Sequence, residues 1–337
     1  MWDTSKKILV TGGAGFIGSE LAYQLVAQGT KVIVVDNLVN GQRENLAKLP
    51  EDKCQLVVTD IRDEQRMIAL MQDVDIVFHL ACLGVRHSIH SPHENHEVNA
   101  TATLKLLSIA KTVGVNRFVY VSSSEVYGTA HWVPMTEEHP TFPMTVYGSS
   151  KLAGECYTRA FYQTYDYPTV VIRPFNAYGP RCHHEGDSGE VIPKFLLRCL
   201  ADNPMIIFGD GNQTRDFTYV SDTAKGILLA GFAENTVGQT INLGNGSEIT
   251  INELAQEVKA VVGQANTTII HEAPRPGDVL RLYANTTQSQ QLLGFKPQVT
   301  LHEGLTKLKE WYLSRDVSPE ILLEQEVVYN WQSKGSR

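Results

Sequence analysis

Six short runs of almost uninterrupted apolar, largely β-branched residues recur through the first half of the chain, at 7–11, 31–36, 55–60, 75–80, 117–122 and 169–173. A strand that is apolar on both faces must be covered on both faces. These runs therefore predict a parallel sheet sandwiched between helices, and the longer amphipathic segments between them supply right-handed crossovers. The first such segment, 16–28, reads as a helix stopped by Gly29.

Beyond Pro180 the rhythm changes. Residues 181–211 and 246–337 are richer in Pro, Gly and polar residues, whereas 219–232 reads as a helix and 240–243 as one more strand. The expected division is a sheet domain at 1–180 plus about 215–245, and a second, smaller domain at 181–214 and 246–337. With 337 residues the chain is long enough for two such units. A net charge of −8 argues against nucleic acid or an anionic membrane as the main partner. No apolar run approaches a membrane span. The first apolar stretch, Ile8 to Val10, is too short for the core of a signal peptide. The five cysteines are odd in number and form no closely spaced pair, so the chain is expected in a reducing cytoplasm without disulfides or zinc.

The turn after the first strand carries Gly12, Gly15 and Gly18, with Phe16 and Ile17 opening the helix that follows. Glycines in such a turn let the backbone approach a pyrophosphate, and the helix N-terminus offers unpaired N–H groups and a partial positive charge. Asp36 ends the next strand, 18 residues past Gly18, where a carboxylate accepts from ribose hydroxyls and repels a 2′-phosphate. The cofactor expected is NAD rather than NADP. Asp60 and Ile61, at the end of the third strand, are placed to meet the adenine.

Tyr147 and Lys151 lie one helical turn apart. An ammonium beside a phenol favours the phenolate, and a bound nicotinamide cation adds to this, which makes Tyr147 a general base for a sugar hydroxyl. Lys151 can also hold the nicotinamide ribose. Ser122, Ser123 and Ser124 follow the fifth strand at the carboxyl edge of the sheet, where hydroxyls can bond a substrate, and Glu125 beside them can act as a second base.

Taken together, these motifs resemble the extended short-chain dehydrogenase/reductase family in its nucleotide-sugar epimerase/dehydratase branch, over about residues 6–313. The resemblance is carried by the turn from Thr11 to Gly18, Asp36-Asn37, Asp60-Ile61, the His79-Leu80-Ala81 segment, Asn99, the serine edge, Tyr147 with Lys151, and the stretch from Arg173 to Pro180. It implies a Rossmann-type doubly wound α/β sheet with a smaller C-terminal α+β substrate domain. It implies that Asn37, Leu80, Ala81 and Asn99 join the cofactor site, and that Ser123, Tyr147 and Lys151 carry hydride transfer. In the second domain it places a nucleoside-diphosphate sugar, with Asn176 at the diphosphate or sugar, Val191 shaping the base pocket, Arg215 and Arg275 on phosphate, and Asp278 near ribose. The segment from Ser123 to Gly128 is similar to that of 4,6-dehydratases and glucuronate decarboxylases, although some dehydratases carry Asp where Ser124 stands. Gly84-Val85-Arg86 resembles a glucuronate 4-epimerase segment, so Arg86 can meet a C6 carboxylate.

The resemblance thus implies oxidation at C4 to a transient 4-keto sugar. Elimination through Glu125 is the leading expectation, 4-epimerisation and decarboxylation are alternatives, and a non-catalytic NAD-binding sensor is the alternative of a different class. Helices at about 98–113 and 148–165 resemble those that pair two subunits through a four-helix bundle, which implies a homodimer. His87, His90, His93 and His96 recur every three residues, but Pro92 interrupts them and no metal is expected. The His183-His184-Glu185 run reads equally as a loop near the sugar or a solvated turn.

Overall fold

The structure, a computed structural model, describes residues 4–186, 188–275 and 278–331. Pro276 and Gly277, within the stretch singled out around Arg275 and Asp278, lie outside the described residues, as do the ends of the two expected domains.

The apolar runs form β1 (Lys7–Thr11), β2 (Lys31–Asp36), β3 (Cys54–Val58), β4 (Ile76–His79), β5 (Arg117–Val121) and β6 (Thr169–Pro174). With the strand Thr240–Leu243 they build one seven-stranded parallel sheet in the order Thr240–Leu243, β6, β5, β4, β1, β2, β3. This is the Rossmann-type doubly wound sheet, and its strand order reverses beside β1, between β4 and β2. The third run stops at Val58 rather than 60 because Asp60 turns the chain, its carboxylate accepting from the Arg62 N–H at 2.8 Å. The helix expected at 98–113 is α-helical only over Ala102–Val113, since Glu97–Thr101 winds as a π-turn. The helix expected from 148 starts at Val146, because the Thr145 side chain caps it by accepting from the Gly148 N–H at 3.0 Å.

Both faces of the sheet are dry. Ile8 and Val10 pack with Leu21 and Leu25 of the first helix, α1 (Phe16–Ala27), and with Ile227 and Leu228 of the helix Val220–Phe232. Leu9, between them in sequence, points the other way and packs with Met67, Leu106 and Phe161. A second core gathers Phe195 and Leu196, Leu254 and Val258, and Leu305, Leu308 and Tyr312 from the helices Val191–Leu200, Ile251–Val262 and Leu301–Leu313. Leu293 and Phe295, from the stretch expected in the second unit, pack instead in the first core. Among the described residues, no helix is long and apolar enough to cross a membrane.

Candidate active site

A cleft of about 630 Å³ runs along the carboxyl ends of the strands and between the two cores. At the sheet's reversal point its floor is the glycine turn. Gly12 sits at φ +69°, and a Cβ on it would lie 2.6 Å from the Ala81 nitrogen. A Cβ on Gly18 would run into the Gly12 carbonyl oxygen, so this glycine is what lets α1 start tight against β1. α1 has no side-chain cap at its N-terminus, which leaves its first N–H groups facing the cleft. Gly12, Gly15, Phe16, Ile17 and Gly18 all line the space, a cradle shaped for a pyrophosphate.

Asp36, Asn37, Asp60, Ile61, Leu80 and Ala81 line the same end. The Asp36 carboxylate accepts from Ala14 N–H at 3.0 Å and from Leu38 N–H at 2.9 Å, which aims it across the turn, and burial pushes its carboxyl up. Asp60 is held by Arg62 at 2.8 Å and by the Asn37 amide at 3.1 Å. Hydrogen bonding from Arg62 outweighs burial and holds its carboxyl down at about 2. These residues fit a dinucleotide whose adenosine ribose meets Asp36.

Asn99 is the exception. Its side chain is buried behind the wall, where Oδ1 accepts from Leu83 N–H at 2.8 Å and Nδ2 donates to the Leu83 carbonyl at 2.9 Å and to Ser150 Oγ at 3.1 Å. It does not line the cleft. Asn99 braces the loop that carries Leu83.

Further along, Ser123, Ser124, Glu125, Tyr147 and Lys151 line the cleft together. Lys151 is buried and donates to the Val121 carbonyl at 2.7 Å, with its ammonium 4.9 Å from the centre of the Tyr120 ring. Burial pushes the Tyr147 phenol well above its ordinary value, Cys82 and Glu125 push the same way, and a hydrogen bond with Ser123 opposes them. Lys151 is committed to the Val121 carbonyl, and desolvation is the largest influence on the phenol. Glu125 sits against the serines, its N–H donating to Ser123 Oγ at 3.2 Å, and burial pushes its carboxyl up while Arg215 and Arg86 pull it down.

Opposite this group stand Arg86, Asn176, Val191, Arg215, Arg275 and Asp278. Asp278 bridges two guanidiniums, accepting from Arg215 at 2.7 Å and from Arg275 at 3.3 Å. Asp278 thereby fixes the two guanidiniums relative to each other. The Arg275 Nε and the Asn176 Oδ1 are buried with no hydrogen-bond partner among the described residues. Burial, and then Arg275, pull the Arg86 guanidinium down to about 10. The site therefore concentrates uncompensated positive charge where an anion would sit.

The sequence does not single out Glu190, and it leaves the His183 loop open between the sugar and a solvated turn. Glu190, at the start of the helix Val191–Leu200, lines the cleft, and burial pushes its carboxyl up to about 7. His183 also lines it, its ring 2.8 Å from Glu185 Oε1. No periodicity marks either one, since both sit on a loop whose direction is set by the second core. The His87–His96 series is split over two short helices, Val85–His90 and Pro92–His96. Among the described residues, no three His, Cys, Asp or Glu side chains are grouped to hold a metal.

The model of the GDP-mannose 4,6-dehydratase family matches residues 9–308. A putative UDP-glucose 4-epimerase of Methanocaldococcus jannaschii is 36% identical over 307 residues, covering 90% of this chain and 97% of that protein. UDP-glucuronic acid decarboxylase 1 of Arabidopsis thaliana is 33% identical over 316 residues, covering 92% and 70%. Among solved structures, a dTDP-glucose 4,6-dehydratase of Streptomyces venezuelae with NAD bound superposes with a TM-score of 0.85 at 33% identity, covering 91% of this chain and 97% of that one.

Proposed function

The chain belongs to the NAD-dependent nucleotide-sugar epimerase/dehydratase family of extended short-chain dehydrogenases/reductases, and from that premise we propose that it oxidises a nucleoside-diphosphate sugar at C4 and then eliminates water across C5 and C6. It is an enzyme and its cofactor is NAD, so the sensor alternative falls. NAD, held by the glycine turn and Asp36, would supply the acceptor for the C4 hydride and, in its oxidised form, a positive charge that favours a Tyr147 phenolate. Tyr147 takes the C4 hydroxyl proton, with Ser123 bonding the same oxygen. The Arg215–Asp278–Arg275 bridge holds the diphosphate, and its fixed geometry sets the distance from sugar to phenol.

The observation that carries elimination is Glu125, a buried carboxylate beside Ser123 with its basicity raised by burial. The 4-ketone acidifies the C5 proton, and Glu125 removes it and passes it to the departing C6 hydroxyl, which leaves as water. Return of the hydride to C6 and of a solvent proton to C5 would then give a 4-keto-6-deoxy sugar with the nicotinamide oxidised as at the start. A second reading, 4-epimerisation, is favoured by Ser124, a buried hydroxyl where loss of the 6-hydroxyl needs an acid.

Incubation with UDP-, dTDP- and GDP-sugars, read by mass spectrometry, tests the choice. Loss of one water supports elimination, an isomer of unchanged mass establishes epimerisation, and loss of carbon dioxide establishes decarboxylation. Glu125→Gln is expected to lower deuterium incorporation at C5 by about a hundredfold or more, while reduced nicotinamide still forms. Because burial raises the Glu125 pKa, the base form is lost as pH falls through that raised value. Wild-type exchange should therefore slow toward acid on a limb that the variant lacks. Exchange at the wild-type rate in the variant would remove Glu125 from the role.

We also propose a homodimer through the helices Ala102–Val113 and Val146–Tyr165, which carry the exposed apolar side chains Leu104, Val146 and Tyr165. Sedimentation is expected to give twice 37.4 kDa at micromolar concentration. A monomer mass would overturn the pairing.

A further inference from the structure

Beyond the helix Leu301–Leu313 the chain does not trail away. The short helix Pro319–Leu323 drops Leu322 into the second core, and residues 326–331 then return to the cleft. Glu326, Val328 and Asn330 line it.

This returning segment is fastened at several points. Glu326 and Arg198 form a two-point ion pair, Nη2 to Oε2 at 2.8 Å and Nε to Oε1 at 3.2 Å, with both side chains largely buried. Lys194 Nζ donates to the Val327 carbonyl at 2.8 Å, and the Gly186 N–H donates to the Gln325 carbonyl at 2.8 Å. Tyr329 and Trp331 pack on Phe208, with ring centres 6.0 and 4.7 Å away. Two of these anchors, Lys194 and Arg198, sit on the helix Val191–Leu200 that walls the same end of the cleft.

Phe208 locates the segment along the cleft. The Arg275 guanidinium stands 5.6 Å from the centre of the Phe208 ring, and Phe208 in turn contacts Trp331. Contacts therefore run from the Arg215–Asp278–Arg275 bridge through Phe208 to the returning segment. A nucleoside diphosphate with its sugar at Tyr147 and its phosphates on the arginines has its base beyond Arg275. The match to the family model ends at residue 308, so this segment lies outside the region that the shared family pattern describes.

We propose that residues 326–331 form the outer wall of the nucleobase end of the cleft and determine which nucleoside diphosphate it accepts, an inference that rests on reading the cleft as a nucleotide-sugar site. The wall shields the base from water and limits its size. It acts on binding more than on turnover.

The test compares the full chain with a Tyr329→Ala/Trp331→Ala double variant and with a chain ending at Leu323. UDP and GDP are titrated calorimetrically in each, and NAD titration checks folding. The wall predicts that the dissociation constant for the better-bound nucleotide rises about tenfold or more and that the ratio between the two nucleotides shrinks. It also predicts a KM for the nucleotide sugar that rises more than kcat falls, with unchanged NAD affinity. If the shortened chain fails to bind NAD, the double variant decides. Wild-type affinities and an unchanged nucleotide ratio in the folded variants would overturn the wall. A wild-type protein that binds neither UDP, GDP nor dTDP would instead overturn the nucleotide-sugar reading, and the wall with it.

Discussion

Tyr147→Phe is expected to reduce C4 oxidation by about a thousandfold or more, measured as formation of reduced nicotinamide in a single turnover. The substitution removes one oxygen and keeps the ring. The helix start is unaffected, because its cap comes from Thr145, and the close approach of Gly148 to the Glu125 backbone does not involve the phenol. The neighbouring base Glu125 is assigned to the C5 proton, and the other neighbours do not replace the lost phenolate. Ser123 is too weak an acid to ionise, and Lys151 is engaged by the Val121 carbonyl. The pH profile carries a second readout. Burial raises the phenol's pKa, and the active form is the phenolate, so wild-type oxidation should climb with pH up to that value, about tenfold per unit. The variant should lose this climb. NAD titration must show unchanged affinity, which separates lost chemistry from lost fold. Retained single-turnover oxidation with the wild-type profile would show that another group accepts the proton.

Why Tyr147 could be picked out at all bears on how the chain encodes its site. The sheet was legible because its strands are buried on both faces: β2 runs over Lys31–Asp36, as its apolar run predicts, and even the distant run at 240–243 joins the same sheet. The glycine turn was legible because Gly12 and Gly18 answer steric demands that no other residue meets. Tyr147 and Lys151 stood out only through a helical spacing beside that turn. Glu190, His183 and residues 326–331 carry no such local signal. They reach the cleft because the helices Val191–Leu200, Ile251–Val262 and Leu301–Leu313 pack into a second core, and that packing is a long-range event. Asn99 shows the converse. Its side chain is committed to the Leu83 backbone, and only the three-dimensional path of that loop reveals it. Helical spacing likewise places an ammonium near Tyr147, but it does not report the desolvation that acts on the phenol.

The second large effect is on stability. Arg173→Ala is expected to cost about 3–5 kcal/mol, seen as a lower urea midpoint for the first cooperative transition. Arg173 is 2% exposed and sits on β6. Its guanidinium donates to Glu155 through Nε at 2.9 Å and Nη2 at 2.6 Å, to the Tyr127 hydroxyl at 2.8 Å and to the Glu137 carbonyl at 3.1 Å. Tyr127 in turn donates to Asn242 Oδ1 at 2.7 Å, on the strand that closes the sheet. One side chain thus ties β6, the helix Val146–Tyr165, the loop after Glu125 and the edge strand together. Removing it takes from the fully buried Glu155 carboxylate its closest partner and leaves the half-exposed Arg159 at 3.2 Å and the more distant Lys151 ammonium as cations near it. A lone buried charge costs more than the pair it came from contributed. Pairing Arg173→Met with Glu155→Leu should therefore recover a substantial part of the loss, because the double variant buries no charge. If the double variant is as unstable as the sum of the two single ones, the cost lies in packing volume and not in the stranded carboxylate. The same substitution reaches the site, since Tyr127 lies two residues from Glu125. C5 exchange should fall in Arg173→Ala even well below its unfolding midpoint, while NAD affinity, proposed to rest on Gly12–Gly18 and Asp36 at β1 and β2, stays near that of the wild type.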